Sequence, residues 1–129
     1  DRATQVSFAS NASIDGDTGI NFGVMLDAGA TTYSSSSNGV TVDQGAGTTA
    51  GSVAALQFVS GSSVSSFVVK VQHSTNGASW SDLTTFSTIS ANTPTAEIKT
   101  SSGTVNRYVR LTTTLSGTNG KCQVSFNRL

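Results

Sequence analysis

Apolar and polar residues alternate with a period of two in several stretches of this chain, while the 3.6-residue period of an amphipathic helix is nearly absent. The clearest stretch sets Phe67, Val69, Val71 and His73 on one face against Val68, Lys70 and Gln72 on the other, which predicts a strand. It ends in Ser74-Thr75-Asn76-Gly77, a hairpin-type turn in which Asn76 and Gly77 are suited to positive φ, with Trp80 and Leu83 as the next buried positions. Earlier, residues 5–10 place Val6 and Phe8 on one face. Residues 19–26 then alternate Ile20, Phe22, Val24 and Leu26 against Asn21, Gly23 and Met25. Residues 27–51 are low in large apolar side chains and carry four consecutive serines, Asn38-Gly39 and Gly45-Ala46-Gly47, so they read as a long flexible loop with one short strand at 40–42. Residues 51–59 are ambiguous: Val53-Ala54-Ala55-Leu56 suits a helical turn, but Leu56 and Phe58 alternate, and strand is favoured.

Shorter strands are expected at 84–87, with Phe86 inward, and at 97–100, with Ile98 buried. Residues 108–115 put Val109, Leu111 and Thr113 on one face, and 122–129 do the same for Cys122, Val124 and Phe126. The polar loop from Ser116 to Gly120 between them is of hairpin length, so the two are expected to pair antiparallel. About eight strands with turn signals between them predict an all-β fold, an antiparallel β-sandwich or jelly roll, as a single domain over 1–129.

Composition narrows the function classes. Only 11% of the 129 residues are charged, seven basic against seven acidic, so nothing draws the chain as a whole to nucleic acid or an anionic surface. No apolar run approaches the roughly 18 to 20 residues that span a bilayer, so no membrane insertion is expected, and the N-terminal residues do not have the basic and apolar segments of a signal peptide. Asp1 stands first without an initiator methionine, a start shared by processed chains and by pieces of longer ones. Cys122 is the single cysteine, which leaves no intrachain disulfide. Charge is nevertheless uneven: residues 1–64 have a net −4 and residues 65–129 a net +4. Complementary halves can pair within one molecule, or identical copies can meet acidic surface to basic surface.

Candidate chemistry is sparse. His73 is the one histidine, and its phase with Phe67, Val69 and Val71 favours a structural role over catalysis; a hydrolase would need Asp82 or another carboxylate to orient it beside an activated serine. One histidine and one cysteine cannot supply a zinc site. Asp15-Gly16-Asp17 is the most metal-like cluster, but Asp and Gly are ordinary turn residues, and that reading is favoured. Asn11-Ala12-Ser13 satisfies the glycan-acceptor rule, which matters only in a eukaryotic secretory route. Gly45-Ala46-Gly47 lacks the lysine of a phosphate loop. Trp80, Tyr33 and Tyr108 are the side chains a sugar-binding module would stack on a pyranose, although Trp80 is better placed to pin the hairpin in the core. No catalytic, cofactor-binding or metal residue is assigned.

A resemblance adds to this reading. Val68-Val69-Lys70-Val71-Gln72-His73-Ser74, then Asn76-Gly77, Trp80-Ser81-Asp82-Leu83, Gly103-Thr104-Val105-Asn106-Arg107-Tyr108-Val109-Arg110-Leu111 and the closing Val124-Ser125-Phe126-Asn127-Arg128-Leu129 follow one another in order. Residues 67–129 thereby resemble a β-sandwich module of tailed-bacteriophage virion proteins, of the tail, tail-tube or capsid-decoration type. The resemblance implies a non-enzymatic structural protein of the virion, without cofactor, packed against copies of itself and other virion proteins. The same residues are more distantly similar to galactose-binding-type jelly rolls, which keeps open an alternative: a carbohydrate-binding module or adhesin domain that holds host-surface glycans.

Overall fold

A computed structural model describes residues 23–27 and 29–129. The strand expected at 5–10, the positions Ile20 and Phe22, Asn11 and the Asp15–Asp17 cluster lie outside the described residues. Among those described there is no helix, and ten strands occur: β1 (Val24–Met25), β2 (Thr31–Tyr33), β3 (Ser37–Asn38), β4 (Val42–Asp43), β5 (Ser52–Ser60), β6 (Ser63–Ser74), β7 (Ser81–Thr85), β8 (Thr95–Ser101), β9 (Tyr108–Thr118) and β10 (Gly120–Arg128).

They form two antiparallel five-stranded sheets packed face to face, the β-sandwich that the alternation predicts. The first sheet runs β1-β10-β5-β8, with β2 also on β10; the second runs β3-β9-β6-β7, with β4 also on β9. Alternate side chains point into the space between the sheets. Ala54, Leu56 and Phe58 of β5 and Cys122, Val124 and Phe126 of β10 face Phe67, Val69 and Val71 of β6 and Val109 and Leu111 of β9. Phe67 is fully buried and meets the rings of Phe58 and Tyr33 in tilted contacts at 6.0 Å and 5.8 Å between centroids. Burying a side chain of this size contributes about 1.5–3 kcal/mol, which is why these stripes set the fold.

Four expectations are corrected by the sheet topology. First, 108–115 and 122–129 do not pair with each other: β9 is hydrogen-bonded to β6 and to β3 and β4, whereas β10 lies in the opposite sheet between β5 and the β1/β2 edge. The connection is a crossover between layers, because Gly117 (φ 105°) and Asn119 (φ 56°) both take the left-handed conformation and redirect the chain. Second, residues 27–51 contain three short strands rather than one, and the strand near the expected 40–42 sits at Val42–Asp43, leaving Val40 exposed. That segment makes few apolar contacts of its own and is held instead by distant backbone, with Gly39 donating to Leu111 O, Gln44 to Arg107 O and Thr48 to Val105 O at 2.8–3.0 Å.

Third, Ile98 is not buried but 72% exposed. The register sets it opposite outward-facing Ala55, while Glu97 lies opposite buried Leu56. Glu97 tolerates the inner phase because β8 is an edge strand, where its carboxylate accepts from Ser87 N–H at 2.7 Å and Ser87 Oγ at 3.0 Å. Fourth, in the β6–β7 hairpin only Gly77 (φ 72°) takes positive φ; Asn76 instead uses Oδ1 to accept from the N–H groups of Ala78 and Ser79, both at 2.9 Å. The ambiguous 51–59 stretch is strand, as favoured.

The crossover yields a stability prediction. A Cβ on Gly117 would stand 1.9 Å from Ser63 O, a contact with backbone that cannot swing aside. Gly117→Ala is expected to lower the unfolding free energy by more than about 1 kcal/mol, measured as a fall in the urea midpoint with the slope unchanged.

Candidate functional site

The polar residues that could do chemistry collect on the outer face of the second sheet. Lys70 and Gln72 occupy the outward positions of β6, opposite the buried phase of Val69 and Val71. Register places Gln72 between Arg110 of β9 and Asp82 of β7. The side chains close a chain of charge-assisted hydrogen bonds: Arg110 Nε and Nη2 donate to Gln72 Oε1 at 3.0 and 2.8 Å, Gln72 Nε2 donates to Asp82 Oδ1 at 2.8 Å, and Lys70 Nζ meets Asp82 Oδ2 at 2.7 Å. Lys70 first and Gln72 second hold the Asp82 carboxyl below its ordinary range.

Trp80 belongs to this face and not to the core, a correction to its expected burial. It is half-buried because the Arg110 guanidinium lies over its ring, 4.3 Å from the centroid. A cation over an indole at a partly exposed site contributes about 0.5–1 kcal/mol. The contact covers one face of the ring. Further along the same strand Thr112 Oγ1 donates to Asn38 Oδ1 at 2.7 Å.

The other residues singled out in the sequence are dispersed. His73 does not meet Asp82; its Nδ1 accepts from the Asn106 N–H at 3.2 Å, and burial lowers its pKa. Tyr33 is buried in the core, where its hydroxyl donates to Asp27 Oδ2, and burial followed by that bond raises its pKa far above the ordinary value. Tyr108 is half-buried beneath the Arg107 guanidinium, 5.0 Å from its ring centroid. Cys122 is buried, and burial above all pushes its thiol up to about 12, so it is inert as a nucleophile. Among the described residues no three His, Cys, Asp or Glu side chains are grouped to hold a metal ion. The complementary halves meet at one described ion pair, where Arg107 Nε and Nη2 grip both oxygens of Asp43 at 2.7 and 2.6 Å.

The outer face of the first sheet is the opposite in character. Met25, Ser125, Ala55 and Ile98 stand side by side across β1, β10, β5 and β8. Gln123, Gln57 and Ala96 form the row on one side, and Asn127, Val53 and Thr100 the row on the other. These three rows hold no charged side chain. Sequence reasoning missed this face because Glu97-Ile98-Lys99-Thr100 has a single apolar residue, too few to reveal which phase points inward.

His73 carries a pH prediction. Burial disfavours the charged imidazolium and holds the folded pKa below the ordinary 6.5, and protonation would also turn Nδ1 from acceptor into donor and break the bond to Asn106. The unfolded chain then binds the proton more readily, so the His73 contribution is full above the ordinary value and is lost as pH falls from there through the lowered folded pKa. The unfolding free energy should drop between neutral pH and about pH 5, and less so in His73→Gln, as followed by urea denaturation at each pH. No protein-family model, no curated protein and no solved structure matches this chain, so the likeness of residues 67–129 to virion modules stays a likeness of residues.

Proposed function

We propose that the chain is a non-enzymatic structural module of a bacteriophage virion, of the tail, tail-tube or capsid-decoration type. It works by packing its outer faces against copies of itself and neighbouring virion proteins. The observation that carries the packing role is the contrast between the two faces. On the second sheet Asp82 is spent on Lys70 and Gln72 at the outer face, and His73, in the other phase of β6, is spent on the backbone N–H of Asn106. On the first, three uncharged central rows leave Ile98 and Met25 exposed. Weak, repeated contacts suffice in a lattice, where many copies add their attachments. The resemblance of residues 67–129 supplies the virion part of the reading. Purified particles should contain this chain at a fixed stoichiometry, measured by quantitative mass spectrometry; its presence only as free protein in lysate would defeat the proposal.

A second reading, a carbohydrate-binding module or adhesin for host-surface glycans, is favoured by the position of Trp80 on an outer face beside Gln72 and Arg110. The two readings separate by fluorescence. Under the packing role, oligosaccharides leave Trp80 emission unchanged, and Arg110→Ala, which uncovers the ring, shifts that emission to the red. Saturable quenching by a sugar that Trp80→Ala abolishes would establish the glycan reading instead.

A further inference from the structure

On the outer face of the second sheet Lys70 is offset by Asp82 at 2.7 Å and Arg107 by Asp43 at 2.6 Å, but Arg110 is offset by no carboxylate among the described residues. Arg107 and Arg110 are otherwise built alike. Each guanidinium lies over an aromatic ring, 5.0 Å from the Tyr108 centroid and 4.3 Å from that of Trp80. Each uses the edge formed by Nε and Nη2, which Arg107 spends on the two oxygens of Asp43 and Arg110 on the single amide oxygen of Gln72. A guanidinium has a second edge, formed by Nη1 and the remaining hydrogen of Nη2, that suits the two oxygens of a carboxylate. At Arg110 that edge has no acceptor among the described residues, and the side chain is only half-buried.

The group is also held still. Trp80 packs against it from one side, and Gln72 fixes its direction. Gln72 keeps its oxygen toward Arg110 because its Nε2 donates to Asp82 Oδ1 at 2.8 Å, and Asp82 is gripped in turn by Lys70. A flipped amide would lose the Asp82 bond and turn an N–H toward the guanidinium. Lys70, Asp82 and Gln72 are thus positioning residues, and a fork fixed in advance loses less freedom when it binds.

We propose that Arg110, backed by Trp80, is the docking point for an acidic side chain of a neighbouring protein of another kind, rather than of a second copy of this chain. Charge selects the partner's chemistry: an unpaired, clamped guanidinium gains two charge-assisted hydrogen bonds from a carboxylate and none from a basic or apolar surface. The same criterion disfavours the described surface of a second copy. Its four side-chain carboxylates are already bonded, Asp27 to Tyr33, Asp43 to Arg107, Asp82 to Lys70 and Glu97 to Lys99. Tryptophan and arginine are also the residue types that carry most of the energy at the centres of protein interfaces. The inference rests on the packing role and gives the second sheet's face a partner of defined chemistry.

The test uses the full chain and fluorescently labelled oligoglutamate, followed by anisotropy at low salt. Oligoglutamate is expected to bind saturably and oligoglutamine not to bind. Arg110→Gln should weaken the binding at least about tenfold. Arg110→Lys keeps the charge without the planar fork and should weaken it at least about threefold. Lys121→Gln removes the same charge from the outer phase of β10, in the other sheet, and should leave the binding unchanged. Arg110 stands on an outer face, so its replacement spares the core, and circular dichroism confirms the fold of each variant. Binding that Arg110→Lys retains in full, or that Lys121→Gln weakens as much as Arg110→Gln does, would reduce the contact to generic attraction and overturn the proposal. Three other outcomes would overturn it: no binding of oligoglutamate; tighter saturable binding of polygalacturonate, an acidic sugar polymer; or self-association in sedimentation equilibrium that Arg110→Gln abolishes, because a second copy would then supply the carboxylate. A chain found in purified particles at fixed stoichiometry yet indifferent to oligoglutamate would sink this site and leave the packing role standing. Oligoglutamate binding by a chain missing from particles would do the reverse.

Discussion

The antiparallel register of β6 on β9, from Ser63 opposite Thr118 to Ser74 opposite Tyr108, is the constraint on which the remaining geometry depends. A slip of one residue would turn Phe67, Val69 and Val71 out to solvent and bring Lys70 and Gln72 into the core, at a cost of several buried side chains at about 1.5–3 kcal/mol each. The same register aligns Gln72 with Arg110 on the outer face, so the polar chain from Arg110 to Lys70 follows from burial of the inner one. The β5–β10 pairing plays the corresponding part in the first sheet. It aligns Leu56 with Val124 inward and Ala55 with Ser125 outward.

The two outer faces divide the surface chemistry. On the second sheet, the charges of Lys70 and Asp82 neutralise each other and the guanidinium of Arg110 rests on Trp80, so charge is present but held in place. On the first sheet, charge is kept off the three central rows and moved to the margin. Glu97 and Lys99 of β8 lie in the inner phase at the sandwich edge, 3.2 Å apart at their charged atoms. Charged side chains in that position, with Pro94 just before the strand, discourage a further strand from pairing along β8. The sheet edge is thereby protected.

The segment between β1 and β5 shows how a stretch with few apolar residues acquires a defined path. It spans both layers: β2 adds to β10 in the first sheet, and β3 and β4 add to β9 in the second. Tyr33 is its anchor, buried against Phe67 and bonded through its hydroxyl to Asp27. The Asp43–Arg107 pair and the bond from Arg128 Nη2 to Gln44 O at 2.9 Å tie the remainder to the ends of β9 and β10. The strand, ion-pair and Arg128 partners are all more than sixty positions away in sequence, whereas Phe67 and Asp27 lie 34 and 6 positions from Tyr33.

Alternation of period two is a local property, and it was sufficient to establish an all-β chain, the inward stripes of β6, β9 and β10, and the turn after Ser74. Wherever two or three large apolar residues recur at that spacing, burial leaves only one phase open. Elsewhere the decision belonged to the tertiary structure. Ile98 stands alone among Glu97, Lys99 and Thr100, so its phase came from pairing with β5 rather than from its own hydrophobicity. Trp80 was drawn out of the core by Arg110, a neighbour that only the β6–β9 register brings near. The crossover at Gly117 and Asn119 looked like a hairpin because a loop's length says nothing about which sheet the next strand will join. Partners separated by dozens of residues are chosen by the packing of whole layers, and no local pattern of residues encodes that choice.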